Sequence, residues 1–196
     1  MAEKPHHNRD PATEADIEAY TLGGARRHDG PVHLAEYDVT WPELFALEEA
    51  RISKAIGDAA LSVEHVGSTA VPGLAAKPII DMLLEVADSS DEPSYVTPLE
   101  SRGYELRIRE PAWWEHRVLK GSETDVNLHV FSVGCPEVAR MLRFRDRLRA
   151  NPTDRKYYEA KKRELAMREW KYIQNYADAK TGVIDEILTR CEGGSD

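Results

Sequence analysis

The 196-residue sequence contains only two cysteines, Cys135 and Cys191, far apart and without metal-type spacing. No cysteine-based metal site is expected, and both thiols read as structural or incidental in a reduced, cytoplasmic setting. The chain also lacks any apolar run of about 18 residues, so no spanning helix and no membrane partner are expected. Its first residues, MAEKPHHNRDPATEAD, have no apolar centre and do not read as a secretory signal. No internal repeat and no long low-complexity tract is present. Positive charge is in deficit: the formal net charge is −9. That balance argues against general nucleic-acid binding.

What is present fits an ordinary globule. Hydrophobic residues make up 41% and charged residues 31%, enough for one domain with its own core. The charge is uneven, however. Residues 140–171 hold 12 Lys/Arg against 5 Asp/Glu. Two readings follow: solvated helices with basic outer faces, or a positive wall facing phosphates or an anionic substrate.

In chain order, residues 1–11 read as a disordered lead. A short helix is expected over 13–22, capped by Thr13 with Asp16 in its first turn and ended by Gly23-Gly24. Together with a linker it forms an N-terminal extension, 1–30, ahead of a domain over 31–191. Residues 32–37 alternate enough to suggest a strand. Trp41-Pro42 opens an amphipathic helix that Gly57 stops. Strands are expected over 61–66 and 79–86, with a short helical turn or loop between them. A helix is expected over 91–103, then strands over 104–109, 116–120 and 126–131. Helices are expected over 135–150, over 154–176 as one long or bent element, and over 179–190.

The stretch VEHVGSTAVPGLAAKPIIDMLLEV (63–86) is the most informative. Gly67 and Ser68 follow a strand, and bare backbone N–H groups at such a turn suit an anion. The next strand is almost wholly apolar and should be buried on both faces. Asp81 interrupts it, and a buried acid is costly unless paired or bound to a cation. Further on, DVNLHVF (125–131) puts Asp125, Asn127 and His129 on one strand face. His65 precedes the turn and is placed either to touch a ligand or to pair with Asp81. Lys77 stands at the strand mouth. Trp113 and Trp114 either stack a base or pack an edge strand.

The wording of 63–81, with YDVTWPELFALE (37–48), DVNLHVF and FRDRLRANP (144–152), resembles the signature of the GrpB family, a group within the nucleotidyltransferase superfamily. The resemblance implies a nucleotidyltransferase-like α/β (α+β) fold: a mixed sheet of about five strands with flanking helices. It also implies a Gly-Ser turn against nucleotide phosphates and strand acids holding divalent cations, Mg or Mn, for in-line attack. Asp81 matches the first acid, but Leu83 stands where the second belongs. Glu85, about 13 Å further along the strand, is too far to serve the same ion. If the 126–131 strand adjoins Asp81, Asn127 or His129 can replace the missing acid. His129 is then a metal ligand or a general base.

Expected site residues are therefore Asp81 and His129 for catalysis and metal. Gly67, Ser68, Lys77, His65, Asn127 and Arg145 are expected to bind substrate or phosphate. The implied activity is metal-dependent transfer of a nucleotidyl or phosphoryl group from a nucleoside triphosphate to a small acceptor. The rival reading, which Leu83 favours, is a non-catalytic module that binds a nucleotide, another ligand or a partner protein.

Overall fold

A computed structural model describes residues 11–193, so nearly all of the lead expected over 1–11 lies outside the described residues. Five strands form one mixed sheet: β1 (Ser62–Val66), β2 (Ile80–Val86), β3 (Glu105–Glu110), β4 (His116–Lys120) and β5 (Val126–Ser132). Their order is β1-β2-β5-β4-β3. Only the β2–β5 pair is parallel. β2 is thus an interior strand, which explains its apolar run.

Period 2 sends the strand side chains to two different covers. One face presents Ile80, Met82, Leu84 and Leu128 to Trp41 and Ile52 of helix α2 (Trp41–Ile56). Helix α3 (Val96–Glu100) adds Leu99 to that core. The opposite face presents Val66, Leu83 and Phe131 to Val138 of helix α4 (Pro136–Ala150). Helices α5 (Pro152–Ala166), α6 (Ile173–Asp178) and α7 (Thr181–Gly193) complete the C-terminal part. There Tyr158 and Ile187 close over Val71 and Leu74 of the β1–β2 connection. Among the described residues no helix is long and apolar enough to cross a membrane.

The short helix expected over 13–22 forms, ending at Thr21 rather than at Gly23-Gly24. Helix α1 (Glu14–Tyr20) has Thr13 at its cap, with a reciprocal bond from Asp16. The N–H of Leu22 then donates to the Arg107 carbonyl at 2.8 Å, docking the extension on β3.

Three expected elements differ. Residues 32–37 do not join the sheet; only a single bridge, Ala35 to Ala76, forms. Their apolar positions Val32 and Leu34 instead face Leu165 and Tyr176 of the C-terminal helices and Trp170 of the segment between them. The helix expected over 91–103 is broken into a 3-10 turn, Glu92–Ser94, and the five-residue α3. Tyr95 causes the break: its φ is −137°, and its buried hydroxyl donates to the Ser89 carbonyl at 2.6 Å. The single helix expected over 154–176 is two, α5 and α6. Between them the backbone of Trp170 bridges Gly30, and the N–H of His28 donates to the Lys171 carbonyl at 2.7 Å. The extension therefore takes up backbone groups that a continuous helix would have used.

Glu48 ties α2 to the sheet. It is 2% exposed, and it accepts from the Tyr104 hydroxyl, from Thr124 Oγ1 at 2.9 Å and from Arg51 at 3.2 Å. Removing the carboxylate strands the Tyr104 and Thr124 hydroxyls, while Arg51 keeps Glu123. Glu48→Ala should lower the unfolding free energy by about 2–4 kcal/mol in urea titration, and Glu48→Gln by clearly less. Equal losses from the two variants would show that the hydrogen bonds are not what holds α2.

Candidate functional site

β1 ends at Val66, which stands opposite Asp81 of β2. Gly67 follows with φ of +68°, and the chain enters a 3-10 turn, Ser68–Ala70. A Cβ at Gly67 would collide with the Asp81 carboxylate, so both the backbone angle and the close approach require glycine. Asp81 is half-buried. Parallel pairing of β2 with β5 sets Asn127 beside it, and Asn127 Nδ2 donates to Asp81 Oδ1 at 2.7 Å.

Lysines close the corner. Lys162 projects from α5, is 2% exposed, and donates to Ser68 Oγ at 2.7 Å and to the Ala75 carbonyl at 2.6 Å. Burial holds its amine well below the usual lysine pKa, and Lys180 nearby adds to this. Lys77 is likewise lowered by burial, with Asp81 opposing. Lys180 is pushed down to about 8, first by burial and then by Lys77, again against Asp81. Its amine lies 4.7 Å from the ring centroid of Tyr176. Ser68, Lys77, Asp81, Lys162, Tyr176 and Lys180 all line one cavity of about 40 Å³. Among the described residues the buried Tyr176 hydroxyl has no hydrogen-bond partner. Three amines around one small cavity, with a tyrosine ring against one of them, form an anion-directed arrangement.

The remaining sequence candidates lie around this corner rather than in it. His65 alternates to the α2 side of the sheet. Its ring stacks on Phe45 at 4.8 Å, and Nε2 bonds Thr69 Oγ1 at 3.1 Å. Burial, with Arg149 nearby, lowers its pKa to about 4. Arg145 lines a separate cleft with His65, of about 560 Å³. There it is engaged by Glu64 at 2.6 Å and Asp146 at 2.8 Å, and donates to the His65 carbonyl at 3.0 Å.

His129 shares the Asp81 face but stands opposite Leu83, one step further along. Its Nδ1 meets His116 Nε2 at 3.0 Å, and His116 Nδ1 meets Glu110 Oε2 at 2.7 Å. Burial lowers the His129 pKa to about 4, with His116 adding to the effect. Leu83 itself is 1% exposed in the apolar cluster under α4. Among the described residues no group of three or more His, Cys, Asp or Glu is arranged to hold a metal ion. Trp113 and Trp114 pack against that same apolar cluster, with Trp113 edge-on to Phe131 at 5.7 Å.

Lys162, Lys180 and Tyr176 were not singled out by sequence reasoning. One signal was available for Lys162. Asp154, Tyr158, Lys162 and Leu165 recur at helical spacing on the buried stripe of α5, where a lysine is out of place.

Comparison with known proteins agrees with this architecture. Residues 31–190 match the family described as GrpB protein. The UPF0157 protein BH1888 of Halalkalibacterium halodurans is 55% identical over 187 residues, 95% of this chain and 96% of that protein. The crystal structure of conserved protein GrpB from Enterococcus faecalis aligns with a TM-score of 0.70 and 30% identity, covering 81% of this chain and 99% of that one. A dephospho-CoA kinase of Mycolicibacterium paratuberculosis is 30% identical over 188 residues, 83% of this chain but 46% of that longer protein. With the family match running from before α2 into α7 and a solved GrpB structure sharing the fold, this chain belongs to the GrpB family.

Proposed function

We propose that the chain binds a small molecule through its phosphate group at the Gly67–Ser68 corner, with lysines supplying the countercharge. The observation that carries this reading is the cavity that Lys77, Lys162 and Lys180 line together with a single acid, Asp81. Three amines outnumber the one carboxylate lining the cavity, and a phosphate dianion would favour their ammonium forms. The same donor set does not fit a divalent cation, which asks for several oxygen ligands and few neighbouring ammonium groups. Asp81 then orients Asn127 and holds the lysines, and the Gly67 turn keeps backbone close to the ligand.

Nucleotidyl or phosphoryl transfer is the second reading. Asp81 favours it, being half-buried with its carboxylate against the turn. So does the name dephospho-CoA kinase carried by a relative, although that name belongs to a protein of which the match covers 46%. On this reading a cation on Asp81 would neutralise charge in the reaction. Leu83, sealed in the core, gives it no second acid.

Thermal shift and calorimetry with tripolyphosphate separate the two. Lysine-based binding should raise the melting midpoint equally in EDTA and in Mg²⁺. Lys162→Met should weaken binding about tenfold or more while leaving the ligand-free midpoint unchanged or higher, since an amine held out of water is removed. Stabilisation only in the presence of the cation would favour the transferase reading. No stabilisation under either condition would end both.

A pH dependence follows from Lys180. Its free-state pKa of about 8 lies among Lys77, Asp81 and Asp178. A bound phosphate favours the ammonium form and raises that pKa. Affinity should therefore be steady below the free-state pKa and fall as pH rises through it. In Lys180→Met that part of the fall should vanish. An identical pH profile in wild type and variant would place Lys180 outside the site.

A further inference from the structure

Beside the lysine corner lies a larger cleft of about 390 Å³, within the range of small-molecule sites. Lys77 and Ile79 line both spaces, so the two adjoin where the chain leads into β2. The floor of the cleft is the sheet, through Ile108 and Val118. One wall is Tyr172 and Ile173 at the start of α6. The other is Ile17 and Tyr20 of α1. Apolar and aromatic side chains line both walls, and Arg26, Glu105, Arg107 and Lys120 add charged groups, while Asn127 and Gln174 also line the space with their amide N–H groups given to Asp81 and Asp178.

The α1 wall is held firmly. Ala12 N–H donates to Asp178 Oδ2 at 2.9 Å, Tyr172 hydroxyl to Glu18 Oε1 at 2.7 Å, and Leu22 N–H to the Arg107 carbonyl at 2.8 Å. Yet this wall lies outside the family match, which begins at residue 31. The lysine corner belongs to the matched region and the wall facing it does not.

We infer that the N-terminal extension is the specificity element of the phosphate site: it turns an open sheet face into a slot for a flat, hydrogen-bonding ring. The ligand class that fits is a nucleotide, its base between α1 and α6 and its phosphates passing Lys77 to reach Ser68 and Lys162. A flat ring with polar edges matches apolar walls interspersed with charged groups better than an alkyl chain does. This inference rests on the phosphate reading of the corner.

Calorimetry on the full chain compares the common ribonucleoside triphosphates with tripolyphosphate, which shares their charge and lacks the ring. At least one nucleotide should bind roughly tenfold tighter than tripolyphosphate. Ile173, 37% exposed at the cleft edge, admits a larger side chain without disturbing the core. Ile173→Trp should fill the slot and bring that nucleotide down to the level of tripolyphosphate. Unchanged tripolyphosphate binding by the same variant reports an intact corner. Equal binding of all ligands by the wild type, or a nucleotide preference that survives Ile173→Trp, overturns the inference and leaves the corner reading standing. Failure of every ligand, tripolyphosphate included, removes both.

Discussion

The bond between Lys162 and Ser68 is the contact on which the rest of the site depends. It joins a C-terminal helix to the turn after β1, across 94 residues of chain. Placing an ammonium group in a buried position costs free energy unless partners replace its water. Ser68 and the Ala75 carbonyl supply two such partners, and Asp81 adds attraction without a direct bond. Lys77 and Lys180 are pushed down in pKa at the same place. Three such amines crowd one acid, and an arriving anion would favour their ammonium forms. A fold that needed only stability would have little use for this arrangement, since apolar residues of similar volume would pack there at lower cost.

Glycine and aspartate set the geometry that the lysines use. Gly67 takes a left-handed turn because Asp81 occupies the space a side chain would need. The register of β1 on β2, and of β2 on β5, then fixes Asp81 between the turn and Asn127. Histidine has no comparable part at the corner. His65 is stacked on Phe45 and His129 joined to His116, and burial lowers the pKa of each. Two neutral rings contribute packing and hydrogen bonds where a charged imidazolium would be desolvated.

The sheet was legible because its strands carry strong local signals: the apolar run of β2, the alternation of β5, and turn residues between them. The Gly-Ser corner and Asp81 were legible for the same reason, since chemistry and backbone change at adjacent positions. Lys162 and Lys180 were not, because in a basic region a lysine facing inward and one facing water look alike until a neighbour is known. Residues 32–37 misled in a related way. Alternation reports a two-sided surface but not what covers it, and here the cover is α5 and α6 rather than a neighbouring strand. The break between those helices was equally hidden, since its cause is a backbone contact with the extension more than a hundred residues away.

A crystal structure of the chain grown with tripolyphosphate tests the central claim most directly. The account predicts a phosphate within hydrogen-bond distance of the amines of Lys77 and Lys162 and of the Tyr176 hydroxyl, with no metal ion between it and Asp81. Phosphate held on Asp81 through a bridging cation, or bound elsewhere with the lysine cavity unchanged, would contradict it.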